Sequence, residues 1–247
     1  MEGTRSGRPP LAASARPRAG VLLAGCAALV AVLGVLFAHQ STADRFDHAV
    51  DSAIITGFAS HQGLGLWLAS PGTTTPATVL SVVITVACLI TGRLRGAVLA
   101  VAAVPMAVGL CEVLVKPLVH RTYFGHVAYP SGHTTTVFAL AATVTVLLLA
   151  PPRPAVPRWL RILILAVAYL AAVAVVVGVI AIRFHYFTDT LAGATVGIGT
   201  VCGLALILDL IPAVRPSRIP RRSAATRSRG TAVQPAGSRG PDRAAPG

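Results

Sequence analysis

The chain has 247 residues, of which 54% are hydrophobic and only 12% charged, about half the charged share of a soluble domain. That deficit excludes a water-soluble globular enzyme and makes the bilayer the main solvent. The formal charge of +13, from 21 Lys+Arg against 8 Asp+Glu, does not argue for nucleic acid as a partner, because the basic residues sit in short clusters between long apolar runs, as at a membrane surface.

Residues 1–19 are rich in Arg, Pro, Ser and Ala and read as a disordered tail. The first apolar run is Gly20–Ala38. A signal peptide is the competing reading, but the run is long for one and no small-residue cleavage site follows, which favours an uncleaved span. In the mixed segment 39–75, Phe46, Val50, Ile54 and Phe58 recur every fourth residue, with Asp44, Asp47 and Asp51 on other faces. That spacing predicts an amphipathic helix lying at the interface or packed on the bundle. Pro71, Gly72 and Pro76 then interrupt the chain. Apolar runs follow at 77–91, 96–115, 134–150, 159–182 and 190–211, and residues 213–247 form a second polar tail, basic and predicted disordered. The expected fold is all-α: a six-transmembrane-helix bundle over residues 20–212, with an interfacial helix between the first and second spans. Cys26, Cys88, Cys111 and Cys202 each fall in an apolar run and form no CxxC pair, so they read as buried free thiols.

Basic residues set the expected topology. The N-terminal tail holds four Arg, the loop at 92–95 two, the loop at 151–161 three and the C-terminal tail eight: seventeen of 21 fall on one side of a six-span arrangement. Arg45, Lys116, Arg121 and Arg183 fall on the other. The positive-inside rule then puts both termini in the cytoplasm. The Ala/Arg/Pro/Gly-rich composition suggests a high-G+C bacterial genome and hence a plasma membrane.

Three polar clusters meet on the outer side. Lys116 and Arg121 follow the third span, Pro130-Ser131-Gly132-His133 opens the fourth, and Arg183, His185 and Asp189 lie between the fifth and sixth. Ser131 and Gly132 at a helix start expose backbone N–H groups to an anion. Lys116 and an arginine add full positive charge. His133 and His185 are candidates for acid and nucleophile, and the spacing of four lets Asp189 face His185 on a helix. Glu112, four residues before Lys116, reads as that lysine's partner, and His120 and His126 as interfacial residues.

This constellation resembles the type 2 phosphatidic acid phosphatase family, lipid phosphate phosphatases related in fold to vanadium haloperoxidases. The Pro-Ser-Gly-His motif is intact at 130–133, and the end of the third motif is intact as His185-Tyr186-Phe187-Thr188-Asp189, followed by Leu191-Ala192-Gly193. Two departures stand out. Tyr123 and Phe124 occupy the places of the first motif's Arg-Pro, and Gly178 and Val179 those of the third motif's Ser-Arg. Arg183, and secondarily Arg121, are the expected substitutes. The resemblance implies catalysis by His185, His133 and Asp189, with phosphate bound by Lys116, Ser131, Gly132, Arg183 and Arg121. It implies a phosphohistidine intermediate, no cofactor and no metal. The expected partners are the bilayer and a lipid phosphate or polyprenyl pyrophosphate substrate. Two other functions compete: a catalytically silent relative that binds or passes phosphorylated lipid, motivated by the missing arginines, and a vanadate-dependent haloperoxidase-like activity. Which lipid phosphate, and what oligomeric state, stay open.

Overall fold

A computed structural model describes residues 10–150 and 156–211. Of the predicted tails, 1–19 and 213–247, residues 1–9 and all of 213–247 lie outside the described residues, as does most of the loop after the fourth span. The elements in order are α1 (Arg16–Phe37), α2 (Arg45–Gly57), α3 (Gln62–Ala69), α4 (Thr74–Ile90), α5 (Leu94–Gly109), a π-helical turn (Leu110–Val115), α6 (Lys116–Val119), β1 (Thr122–Tyr123), β2 (His126–Val127), α7 (Gly132–Leu149), α8 (Arg158–Ala181) and α9 (Phe187–Leu210). Helix α1 begins at Arg16, four residues before the predicted start.

The protein is a helical membrane bundle. Five helical stretches are long and apolar enough to cross a bilayer: Ala13–Phe37, Leu94–Val119, Gly132–Leu149, Arg158–Ala181 and Phe187–Leu210. The bent pair Gln62–Gly72 and Thr74–Ile90, joined at 41°, makes a sixth when it is taken as one broken span, and is a re-entrant loop otherwise. Helix α3 was not legible as an element. Its sequence, QGLGLWLA, carries two glycines, which weaken any helical reading. Its companion Gly178 on α8 explains the packing: a Cβ there would stand 2.5 Å from the Ala69 amide and 2.8 Å from the Gly65 carbonyl, so the two backbones touch.

Helices α7 and α9 form the centre, because the small residues of α9 let them approach. A Cβ at Gly197 would meet the Thr135 carbonyl at 2.5 Å, and one at Gly193 would run into the Ser131 carbonyl. Close backbone approach of this kind replaces the hydrophobic drive that lipid does not supply. The threonines of α7 satisfy themselves: Thr135, Thr136 and Thr143 donate to carbonyls four residues back.

The two ends of the bundle differ. At one end arginines close off helix termini. Arg93 donates to the carbonyls of Leu147 and Ala150, Arg95 to that of Ile211, and Arg16 pairs with Asp209 at 2.9 Å. At the other end lie α2, α3, α6 and a small antiparallel hairpin, β1–β2, which the all-α expectation did not include. Its turn residues Phe124 and Gly125 have φ of 45° and 84°, the left-handed pair that suits a two-residue hairpin turn.

Candidate active site

The N-terminus of α7 starts where Ser131 turns extended backbone into helix. The Ser131 Oγ accepts from the Thr134 N–H at 3.4 Å and from the Thr134 hydroxyl at 3.1 Å, an ordinary N-cap. Its own N–H donates to the Asp189 carbonyl at 3.0 Å. One backbone hydrogen bond therefore ties the Pro-Ser-Gly-His segment to the His185–Asp189 segment.

His185 sits in the connection between α8 and α9. Helix α8 ends with the Arg183 N–H on the Ile180 carbonyl and the Phe184 N–H on the Val179 carbonyl. Arg183 is the left-handed residue that closes this cap, at φ 58°, a place usually held by glycine. The chain then turns directly into the buried His185.

The start of α9 is held by three carboxylates. Asp189 Oδ2 accepts from the Tyr186 N–H at 3.0 Å, Asp51 Oδ1 from the Phe187 N–H at 3.1 Å, and Asp47 Oδ1 from the Thr188 N–H at 2.8 Å. Each carboxylate satisfies an otherwise orphaned helix donor and meets the positive end of the helix dipole. Arg121 pairs with two of the three, Asp47 and Asp189. Its guanidinium donates to Asp47 at 2.6 Å, Asp189 at 2.8 Å and Thr188 at 2.6 Å, between the rings of Phe37 and Tyr186 at 4.2 and 4.3 Å. Burial works against the Arg121 charge, but Asp189 and Asp47 outweigh it and raise its pKa further. Burial first, then Asp47, pushes the Asp51 carboxyl up to about 7.

Asp47 and Asp51 are the residues that sequence reasoning passed over. They lie on the polar face of α2, and that face is the packed one: Asp47 is 0% exposed while Phe46 is 56% exposed.

A cavity of about 760 Å³ opens beside this framework, between α4, α5, α7 and the α8–α9 connection. Its polar end holds Glu112, Lys116, His126, His133 and His185; its other end is walled by Ala77, Val104, Pro105 and Val108. The His133 and His185 ring centroids are 6.5 Å apart. Phe184 packs edge-on against both, at 5.9 and 5.6 Å. Burial, and after it the charge of Lys116 and the neighbouring His133, hold the His185 imidazole neutral, with its pKa lowered to about 3.

Of the predicted site residues, His133, His185, Lys116 and Gly132 line the cavity, and Ser131 caps the helix behind it. Arg121 does not reach it; its guanidinium is 0% exposed and committed to the carboxylates. Arg183 is exposed at the end of α8 and is not among the lining residues. Asp189 is also behind the cavity. Its Oδ2 lies 4.0 Å from His185 Nδ1, too far for a hydrogen bond, and His185 Nδ1 has no partner among the described residues. Val179, at a motif-arginine position, is buried in an apolar cluster with Val137 and Val175. His126, read as merely interfacial, reaches the cavity, with Nε2 3.1 Å from the Phe184 carbonyl.

No curated protein matches the chain, and no solved structure does. Residues 77–211, more than half the chain and the stretch from within the first turn of α4 through α9, match the PAP2 superfamily. With both histidine motifs inside that stretch and their rings facing one cavity, the chain belongs to the PAP2 superfamily.

Proposed function

We propose that the protein is an integral membrane phosphatase that hydrolyses a lipid phosphate or polyprenyl pyrophosphate, without a metal, through a phosphohistidine. The observation that carries this reading is the pair of imidazoles 6.5 Å apart at the polar end of a cavity with apolar lower walls. That shape suits an amphiphile, with its phosphate beside the histidines and its chain between α4 and α5.

In this reading, His185 attacks phosphorus through Nε2, because Nδ1 is buried on the Asp189 side, while the bond to the leaving oxygen breaks. His133 enters protonated and gives its proton to the departing alkoxide. Water then gives a proton back to His133 and attacks the phosphohistidine. The P–N bond breaks, phosphate leaves and His185 is restored. A neutral imidazole at ordinary pH suits His185 as nucleophile. Lys116, the N–H groups at the start of α7 and Ser131 at its cap supply the positive field for the phosphoryl oxygens.

Arg183, exposed on the short segment leading to His185, is our candidate to replace a missing motif arginine by reaching the substrate from the rim. Arg121 and Asp189 act as positioning residues. Asp189 anchors the turn that carries His185, and its carbonyl holds Ser131. Among described residues, the end opposite the cavity carries Arg16, Arg18, Arg93, Arg95, Arg158 and Arg161, which by the positive-inside rule supports an extracytoplasmic cavity.

The test is phosphate release by the detergent-purified protein from a panel of lipid phosphates with EDTA present, beside His185→Ala. Release by the wild type and none by the variant is expected. The absence of motif arginines favours a second reading, a silent binder of phosphorylated lipid, and equal background release from both proteins would support it.

A further inference from the structure

The polar end of the cavity is short of positive charge. Among the described residues, Lys116 is the only lysine or arginine that lines it. Both oxygens of Glu112 hold that ammonium, at 2.7 and 2.8 Å, so the pair brings no net charge. His185 is held neutral, and His133 gives up its proton when the bond to the leaving oxygen breaks. The phosphoryl group stays anionic through the second step, when water attacks, and needs a cation that outlasts the first. His126 is placed to supply it. The hairpin register pairs His126 with Tyr123, so the two side chains share one face, with ring centroids 6.1 Å apart. Tyr123 stands where the first motif has its arginine, and the imidazole rises beside that position. Its ring also packs on Phe184 at 5.2 Å, with Nε2 3.1 Å from the Phe184 carbonyl. A carbonyl only accepts, so Nε2 carries a hydrogen, and Nδ1 makes no hydrogen bond among the described residues. Neutral, the ring leaves Nδ1 a bare lone pair; protonated, it offers an N–H and a full charge.

We propose that His126 is a phosphate-binding residue: its imidazole takes up a proton as the anion binds, and Nδ1–H then holds a phosphoryl oxygen through both steps. This deepens the phosphatase reading and rests on it for the identity of the anion. The proton comes from water, which the half-buried ring can reach, and returns to it when phosphate leaves. An anion beside the ring favours the charged form, so binding and protonation support each other. The other titratable groups around the ring are Tyr123 across the hairpin, with Arg183 beyond it, His185 next to Phe184, His133 on α7, and the Lys116–Glu112 pair. Lys116 and Glu112 offset one another and His185 stays neutral, which leaves His133 as the group that an experiment has to separate from His126.

The experiment is calorimetric titration of the detergent-purified full chain with sulfate at about pH 8, where sulfate does not titrate and an ordinary imidazole is mostly neutral. Two buffers of different ionisation heat report the protons taken up per anion bound. The wild type takes up a proton on binding sulfate, and His133→Gln still does. The uptake is lost in His126→Gln and in His126→Arg. Affinity falls by about tenfold or more in His126→Gln, the size of a hydrogen bond to a charged group, and recovers in His126→Arg, which restores a fixed cation. Glutamine keeps an N–H for the Phe184 carbonyl, so an imidazole that only props the hairpin would leave the His126→Gln affinity unchanged, and that result overturns the proposal. Proton uptake that survives in His126→Gln overturns it too, because the charge would then belong to another group. A wild type that binds no sulfate is equally fatal. Recovery in His126→Arg keeps the test decisive if His126→Gln folds poorly. None of these titrations needs turnover. A wild type that binds sulfate through His126 but releases no phosphate from lipid phosphomonoesters would sink the phosphatase reading and leave the assignment of His126 standing. Normal phosphate release by His126→Gln would do the reverse.

Discussion

Removing the Asp47 carboxylate tests whether α2, which lies outside the matched residues 77–211, holds the candidate site together. Asp47 and Arg121 are both 0% exposed, and Asp47 Oδ2 takes 2.6 Å and 2.9 Å hydrogen bonds from Arg121 and the Thr188 hydroxyl. Its Oδ1 takes the Thr188 N–H at 2.8 Å. In Asp47→Ala the guanidinium keeps Asp189 but loses half its neutralising charge, and a donor at the start of α9 is orphaned. Breaking one partner of a buried pair costs about 3–5 kcal/mol, and the orphaned N–H falls within that range rather than adding to it. Equilibrium unfolding in detergent should therefore show a loss of about 3–5 kcal/mol. Arg121→Met leaves Asp47 and Asp189 facing each other and should cost at least as much. The double variant should cost less than the two single losses together, by on the order of 2 kcal/mol, because each single change already breaks the same pair. Turnover should fall as well, since His185 precedes the anchored turn. A loss under about 1 kcal/mol in Asp47→Ala, the size of an exposed pair, would refute the claim that this cluster sets the start of α9.

Arg183→Gly separates backbone from charge: relief of the left-handed conformation should stabilise by about 1 kcal/mol, while loss of the rim cation should abolish phosphate release. Near-normal release from Arg183→Ala would reject Arg183 as the substitute arginine. For Asp51, the folded carboxyl protonates near 7 against 3.8 for the free side chain, so the folded state holds the extra proton between those values. Its contribution is greatest below about pH 4 and is lost as pH rises through about 7; Asp51→Asn should raise Tm at pH 8 and leave it unchanged at pH 4. His185 titrates the other way, near 3 when folded against 6.5 when free. Its contribution is complete above about pH 6.5 and is lost as pH falls toward 3. His185→Gln should flatten that part of the stability–pH curve, and an unaltered curve would contradict the burial of a neutral imidazole.

The spans were legible because lipid demands long apolar runs, and the start of α7 because Ser131 is a good N-cap. Lys116 and Glu112 were legible as a pair from their spacing of four. The burial of α2 was not. In a soluble protein the apolar stripe of an amphipathic helix faces the core, and Phe46, Val50 and Ile54 would be read inward. Where lipid surrounds the bundle, the apolar stripe has a solvent of its own, and the polar face becomes the one that needs protein partners. The observed helix follows the second rule at Phe46, which is exposed, and at Asp47 and Asp51, which are buried, while Val50 and Ile54 are half-buried. The same inversion explains Arg121. Nothing in its local sequence distinguishes it from Arg183, since both follow the end of an apolar run. Arg121 is buried because two of the aspartates that converge on the orphaned N–H groups of α9, Asp47 and Asp189, are themselves buried and need a cation beside them. Arg183 has no such demand on it, which leaves it exposed beside the site. An arginine's role in this bundle is thus decided by which helix ends are short of partners, a property of the assembled fold that no motif spacing encodes.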